Sequence, residues 1–136
     1  MEIADALDFV RNNHRVVIAT LRKDGSPSLT PVTAGVDADD KIVISSRETA
    51  MKVKHLRRDP RAWLCLLNDG FFGDFMQAEG PVEIITLPDA MDGLMDYYRG
   101  ISGEHPDWDD YRAAMERDQR VLIRMTPARV GPTVGG

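Results

Sequence analysis

The chain is poor in the residues that most often announce a chemistry: one cysteine and three histidines in 136 residues. A lone Cys65 excludes an internal disulfide, and its place in the apolar run AWLCLL reads as a small buried hydrophobe. His14, His55 and His105 lie far apart, with no i, i+4 pair and no CxxC, so a metal site has no support. No GxSxG, GxGxxG or GxxxxGK[ST] occurs, which removes the hydrolase elbow and the usual nucleotide fingerprints. No apolar run reaches the length of a membrane span, and MEIADALDF lacks the basic-then-apolar order of a secretory signal. A cytoplasmic location is the expectation. Basic residues are outnumbered 17 to 22, whereas a general nucleic-acid binder needs a broad basic surface.

What is present suits a soluble globular protein: 43% hydrophobic and 29% charged residues, enough for one domain with a real core. We expect a single domain over residues 1–130 and a mobile glycine-rich tail over 131–136. Ile3, Ala6, Leu7 and Val10 recur at helical spacing, predicting a helix over 2–12 that lids one end of a sheet. RVVIATL (15–21) and SLTPVTAGV (28–36) flank the turn signal KDGS and form a hairpin. Pro31, unable to donate to a ladder, belongs at an edge or a bulge. KIVIS follows as a third strand, then a helix over 49–58 stopped by Asp59-Pro60. RAWLCLL (61–67) and FMQAEGPVEIIT (75–86) are strands four and five, with a bend at Gly80-Pro81. Pro88 opens a helix to about Arg99, residues 109–118 form another, RVLIRM (120–125) is a sixth strand, and ARVGPTV adds a short closing one. Hairpins with inserted helices exclude a doubly wound fold. They predict a mainly β protein, an antiparallel barrel of six or seven strands with peripheral helices.

Charge is distributed unevenly. The stretch SSRETAMKVKHLRRDPR, 45–61, holds Arg47, Lys52, Lys54, Arg57, Arg58 and Arg61 against only Glu48 and Asp59, in a chain of net charge -5. Arg57 and Arg58 fall in a last helical turn, where cations meet the negative end of the helix dipole and need no ligand. Val53 and Leu56 mark the buried face, and Lys52 lies beside it, while Lys54 stands about 200° round the helix from Lys52. Ser45, Ser46, Arg47 and Thr49 occupy the junction where a helix start exposes unpaired N–H groups. The junction can therefore cradle a phosphate with hydroxyls, amides and two cations, or it can be a solvated charged face. The acidic run Glu104, Asp107, Asp109, Asp110 reads as the capped, dipole-matched start of a helix and not as paired catalytic acids.

The strings VVIATLRKDGSPSLTPV, SSRETAMKVKHLRRDPRAWLCL, MQAEGPVEI and YYRGISGEHPDWDDYRAAMERDQRVLIRM resemble the split β-barrel proteins of the pyridoxamine 5′-phosphate oxidase-like superfamily, in its branch that uses the deazaflavin coenzyme F420. The resemblance runs from about residue 14 to 130; the string ending LRRDPR and GEHPDWDDYR are its most specific parts. It implies a homodimer with the cofactor at the subunit interface and its phosphate after the third strand. Lys52 matches the family's phosphate-binding lysine and Ser45 a strand-end serine beside it. Val32, with Pro31 and Thr33, matches the strand along the ring system, and Arg120 an arginine able to approach the cofactor. Two departures stand out. Ala50 and Met51 replace an arginine that often precedes the lysine, so Arg47 or Lys54 takes over its charge. ARVGPTVGG lacks the C-terminal Arg-Leu segment of the true oxidases, which separates the chain from vitamin oxidation.

The resemblance thus implies an oxidoreductase that passes a hydride from reduced F420 to a conjugated small molecule such as a quinone, an enone or a tetrapyrrole. Phe71, Phe72, Phe75 and Met76 are candidates to line the acceptor pocket, or else belong to core or dimer interface. The alternatives are an FMN-binding reductase, a non-catalytic cofactor carrier or sensor, and a basic patch for an acidic protein partner. If Lys52 grips a phosphate, Lys52→Ala weakens cofactor binding by roughly 1.5–3 kcal/mol, about ten- to a hundredfold, and Lys54→Ala does much less. Equal losses in a cofactor titration of the two variants would dismiss the cradle.

Overall fold

Period-two alternation and β-branched runs produce strands β1 (Arg15–Leu21), β2 (Pro27–Val36), β3 (Ile42–Arg47), β4 (Arg61–Leu67), β5 (Phe75–Ile85), β6 (Arg120–Met125) and β7 (Arg129–Gly131). The helices are α1 (Ile3–Asn12), α2 (Met51–Arg58), α3 (Met91–Ser102) and α4 (Trp108–Arg117). The structure, a computed structural model, describes residues 1–70 and 72–132. Phe71 and residues 133–136 lie outside the described residues, and with them Phe71's expected pocket role and most of the expected mobile tail. Gly131, counted in that tail from sequence, belongs to β7.

All pairings are antiparallel, and the strands close in the ring β1-β2-β3-β6-β5-β4, with β7 added along β5. The barrel interior takes Val16 and Ile18 from β1, Ala62, Leu64 and Leu66 from β4, Met76 and Ala78 from β5 and Ile123 from β6. β3 and β6 are buried on consecutive residues, Ile42–Ile44 and Val121–Ile123, because their outer faces are covered too. That covering is α3 and α4, whose Leu94, Met95 and Tyr111 pack on Val43 and Leu122. Ala6, Leu7 and Val10 of α1 join the barrel core.

β5 serves two neighbours in turn, pairing with β4 up to Pro81 and with β6 from Val82 onward. Gly80 sits at that corner, where a Cβ would run into the Thr126 carbonyl, so the expected bend is a close backbone approach. The β2–β3 turn is held by Arg124 of β6. Its guanidinium donates from Nε to Asp37 Oδ2 (2.8 Å), from Nη1 to Glu83 Oε1 (2.6 Å) and from Nη2 to Asp39 Oδ2 (3.3 Å). Helix boundaries differ from expectation most at the starts of α3 and α2, and α3 runs on to Ser102 past the expected Arg99. Pro88 precedes α3 by three residues in a turn closed by Ala90 N–H to the Thr86 carbonyl (2.8 Å). Thr49 lies in the turn before α2, whose N-cap is Ala50.

α2 docks through Val53 and Leu56, as its spacing foretold, and also through His55, whose side chain is 5% exposed. His55 Nδ1 meets the hydroxyl of Thr20, an inward residue of β1, at 2.9 Å. Burial first, then the Arg58 and Arg22 charges, lower the His55 pKa from 6.5. The unfolded chain therefore binds a proton at His55 that the folded one refuses. Stability from this site is complete above pH 6.5 and drains away as pH falls below it toward the lower folded value. Melting temperatures read between pH 7.5 and 5 should fall for the native chain and fall less for His55→Gln; parallel slopes would contradict this assignment.

Candidate functional site

Three register pairs join β2 to β3: Val36↔Ile42, Gly35↔Val43 and Ala34↔Ile44. Beyond them the strands part, although β2 stays paired with β1 along Pro27–Thr33 and β3 with β6 along its whole length. Pro27–Thr33 and Ser45–Arg47 thus form the two lips of a split in the barrel wall. Strand alternation decides which backbone groups line it. Ala34 N–H donates to the His14 carbonyl (2.9 Å) and the Ala34 carbonyl meets His14 Nδ1 (2.8 Å), so the polar groups of Thr33, Pro31 and Leu29 face the other way, toward β3. Pro31 has no N–H to offer there, which is why pairing can stop without orphaning a donor at that position.

Pro31, Val32 and Thr33 lie on one lip and Ser45 and Arg47 on the other. Arg120 stands directly opposite Arg47 in the β3–β6 register. Lys52, second residue of α2, is half-buried; burial lowers its ammonium pKa, and the Arg120 charge lowers it further, which puts the two cations within electrostatic reach. Ser46 turns the other way. It is 1% exposed among the even-numbered, inward residues of β3, and its hydroxyl donates to the Arg47 carbonyl (3.1 Å). The expectation that both serines offer hydroxyls to the cradle is therefore corrected to Ser45, because successive strand residues face opposite sides. Thr49 is exposed in the turn ahead of the helix and not in its first turn.

The positive stretch resolves into two kinds of charge. Arg57 pairs with Glu48 (2.7 Å), Arg58 donates to the Leu21 carbonyl (2.7 Å), and Arg61 pairs with Asp59 (2.8 Å) while lying 5.5 Å from the Trp63 ring centre. Arg47, Lys52, Lys54 and Arg120 make no ion pair among the described residues. Lys54 is exposed, whereas Arg47 is the cross-strand neighbour of Arg120. Like charges placed opposite each other on a sheet repel, and Arg120 Nε is buried without a hydrogen-bond partner among the described residues. Two arginines, a lysine and an unsatisfied buried N–H at the rim of a split barrel are complementary to a phosphate-bearing group.

Sequence reasoning missed Tyr97. From α3 it sends its hydroxyl to the Thr33 carbonyl (2.8 Å). Burial raises its pKa, with the Ser45 backbone and Arg120 pulling the other way. The doublet Tyr97-Tyr98 was visible, but nothing in its spacing says which ring reaches a strand edge. Tyr98 instead joins His105, Trp108 and Tyr111 in an edge-packed aromatic layer, and the Tyr111 hydroxyl, bonded to the Leu94 carbonyl (2.8 Å), is pushed up to about 12 mainly by burial. Asp107 caps α4 by accepting from Asp110 N–H (3.1 Å), the structural role expected of that acidic run.

Two other expectations change. Cys65 points out of the barrel, between the inward Leu64 and Leu66, and is half-buried in an outer-face cavity of about 800 Å³ that Val17, Ala19, Leu29, Trp63 and Val130 also line. Its thiol pKa is raised by burial, so it is not an activated nucleophile. The aromatic group does not form one pocket: Phe72 is 93% exposed, Phe75 half-buried and Met76 inside the barrel.

The family model for pyridoxamine 5′-phosphate oxidase matches residues 4–133. The chain belongs to this family. Among solved structures, it resembles the conserved hypothetical protein Rv2991 from Mycobacterium tuberculosis with a TM-score of 0.77 and 26% identity, over 100% of this chain and 93% of that one. An F420 reductase superposes with a TM-score of 0.70 at 16% identity, covering 91% and 94% of the two chains. HutZ, the heme storage protein from Vibrio cholerae, superposes with a TM-score of 0.75 at 10% identity, covering 100% and 98%. The last two likenesses show the fold alone. The antiparallel barrel expected from the sequence is thus the fold these structures share.

Proposed function

We propose that this chain is an F420-dependent reductase acting on a planar, conjugated small molecule of quinone, enone or tetrapyrrole type. The observation that carries the reading is the trio Arg47, Lys52 and Arg120, in no ion pair among the described residues and gathered where β3 gives way to α2. A phosphate there relieves like-charge repulsion and satisfies the buried Arg120 N–H. In this reading Arg47 replaces the arginine missing at Ala50 and Met51. Reduced F420, when bound, supplies a hydride; the chain supplies position, electrostatics and exclusion of water. Lys52, Arg47 and Arg120 anchor the charged end, with Ser45 beside it and Thr49 at the helix entry. The backbone of Pro31, Val32 and Thr33 flanks the ring system, and the proton that completes reduction comes from solvent. The absence of a catalytic triad or metal cluster among the described residues then needs no separate explanation.

A second copy of the chain completes the proposal. The outer face bearing Val17, Ala19, Leu29, Trp63 and Cys65 is apolar for a surface, with Leu29 66% exposed. In a cytoplasmic homodimer this face is covered, and the ring system lies where the two barrels meet.

Tryptophan emission of the purified protein should be quenched on titration with F420 and unchanged with FMN. Sedimentation of the same sample should report a dimer, and reduced F420 should be oxidised in the presence of at least one quinone or enone. Tight FMN binding would move the chain to the flavin-dependent reductases, and tight F420 binding without turnover would make it a carrier. Binding of neither cofactor would leave the cations as a protein-docking patch.

A further inference from the structure

The β2–β3 ladder stops one register position early, and the structure shows what stands in the gap. Continuing the observed register past Ala34↔Ile44 would pair Thr33 with Ser45. Since Ala34 turns its N–H and C=O to His14, Thr33 turns its own toward β3, so the missing position is a hydrogen-bonded rung. On the facing strand Glu48 N–H donates to the Gln119 carbonyl beside β6, so by the same alternation Ser45 and Arg47 direct their amides to the split. At the vacant rung the Tyr97 hydroxyl donates to the Thr33 carbonyl at 2.8 Å, and the Ser45 backbone lies close enough to act on it. One side-chain oxygen replaces the direct interstrand bond.

We propose that Tyr97 is a positioning residue: its hydroxyl is a spacer wedged between β2 and β3 that sets the width of the split and aims the Ser45–Arg47 lip at the bound anion. An oxygen inserted between the two edges, bonded to Thr33 and set against Ser45, holds them farther apart than a direct N–H···O contact could. The strand edges past it, Pro31 on one side and Arg47 on the other, then have no partner in each other. α3 packs against β2, β3 and β6, so the wedge is supported by the helical layer and not by a flexible side chain alone. Its burial keeps the phenol protonated, so it can donate to Thr33 at any working pH, and the Arg120 charge reaches it. The proposal rests on the reading that the split binds an anion, and it adds that the binding geometry is imposed from α3.

Three measurements separate this from a merely structural tyrosine. In the native chain the Ser45 amide should exchange with solvent as slowly as ladder amides such as Val43, and much more slowly than the open-edge amide of Arg47. In Tyr97→Phe, protein NMR should show a direct Ser45–Thr33 interstrand hydrogen bond, and affinity for inorganic phosphate should fall about tenfold, the worth of a misplaced contact. Tyr111→Phe, which removes a buried hydroxyl inside the same helical layer, should lower the melting temperature while leaving phosphate affinity and Ser45 exchange unchanged. Fast native exchange at Ser45, or phosphate affinity in Tyr97→Phe within twofold of native, overturns the proposal, and the first of these needs no variant to fold. If phosphate binding responds as stated while F420 fails to bind, the wedge stands and the cofactor reading falls.

Discussion

A closed sheet has no reason to open, since every backbone donor and acceptor within it is already matched to a neighbour. The split exists because one seam of this barrel is only half sewn: β2 and β3 share three pairs and then part, each still held from behind by β1 or β6. Opening the seam exposes polar backbone to solvent or ligand, and the local residues reduce that cost. Pro31 has no N–H, and the Thr33 carbonyl accepts from the Tyr97 hydroxyl. The barrel thereby gains an edge for a ligand to occupy without becoming an edge that invites another strand.

Under the proposed function, electrostatics gives the opening its selectivity. Folded proteins usually answer buried or crowded cations with carboxylates, as this chain does for Arg57, Arg61 and Arg124. At the β3–α2 junction no carboxylate among the described residues pairs with Arg47, Lys52 or Arg120, even though acids outnumber bases 22 to 17. Selective absence of compensation in an acid-rich chain is a sharper sign of an anion site than any count of basic residues. Burial of Lys52 adds to it, since a partly dehydrated ammonium is held for an anion at less desolvation cost than a solvated one.

Much of this was legible in the chain itself. β1, β4 and β6 coincide with RVVIATL, RAWLCLL and RVLIRM because their β-branched and leucine runs end at sharp turn or helix signals. The helix face bearing Val53 and Leu56 followed from spacing alone, and the bend at Gly80-Pro81 from residue type. Three things were hidden for physical reasons. Whether Ser45 or Ser46 faces the split depends on strand phase, and a one-residue shift exchanges them. His55 read as one more polar residue on a basic helix, since its partner Thr20 is thirty-five positions away. Tyr97 acts across sixty-four residues of sequence, a distance at which local pattern carries no information about contact.

The Arg124 clasp gives the β2–β3 hairpin a mechanical asymmetry. Asp37, Asp39 and Glu83 converge on one guanidinium at the turn, so that end behaves as the joined base of a tuning fork. Farther from that base each prong is backed by its own ladder, β2 on β1 and β3 on β6, so the spacing set at the turn is carried along both lips. A three-acid ion network thus fixes the gauge of the opening at its closed end, well away from the cations at its open one.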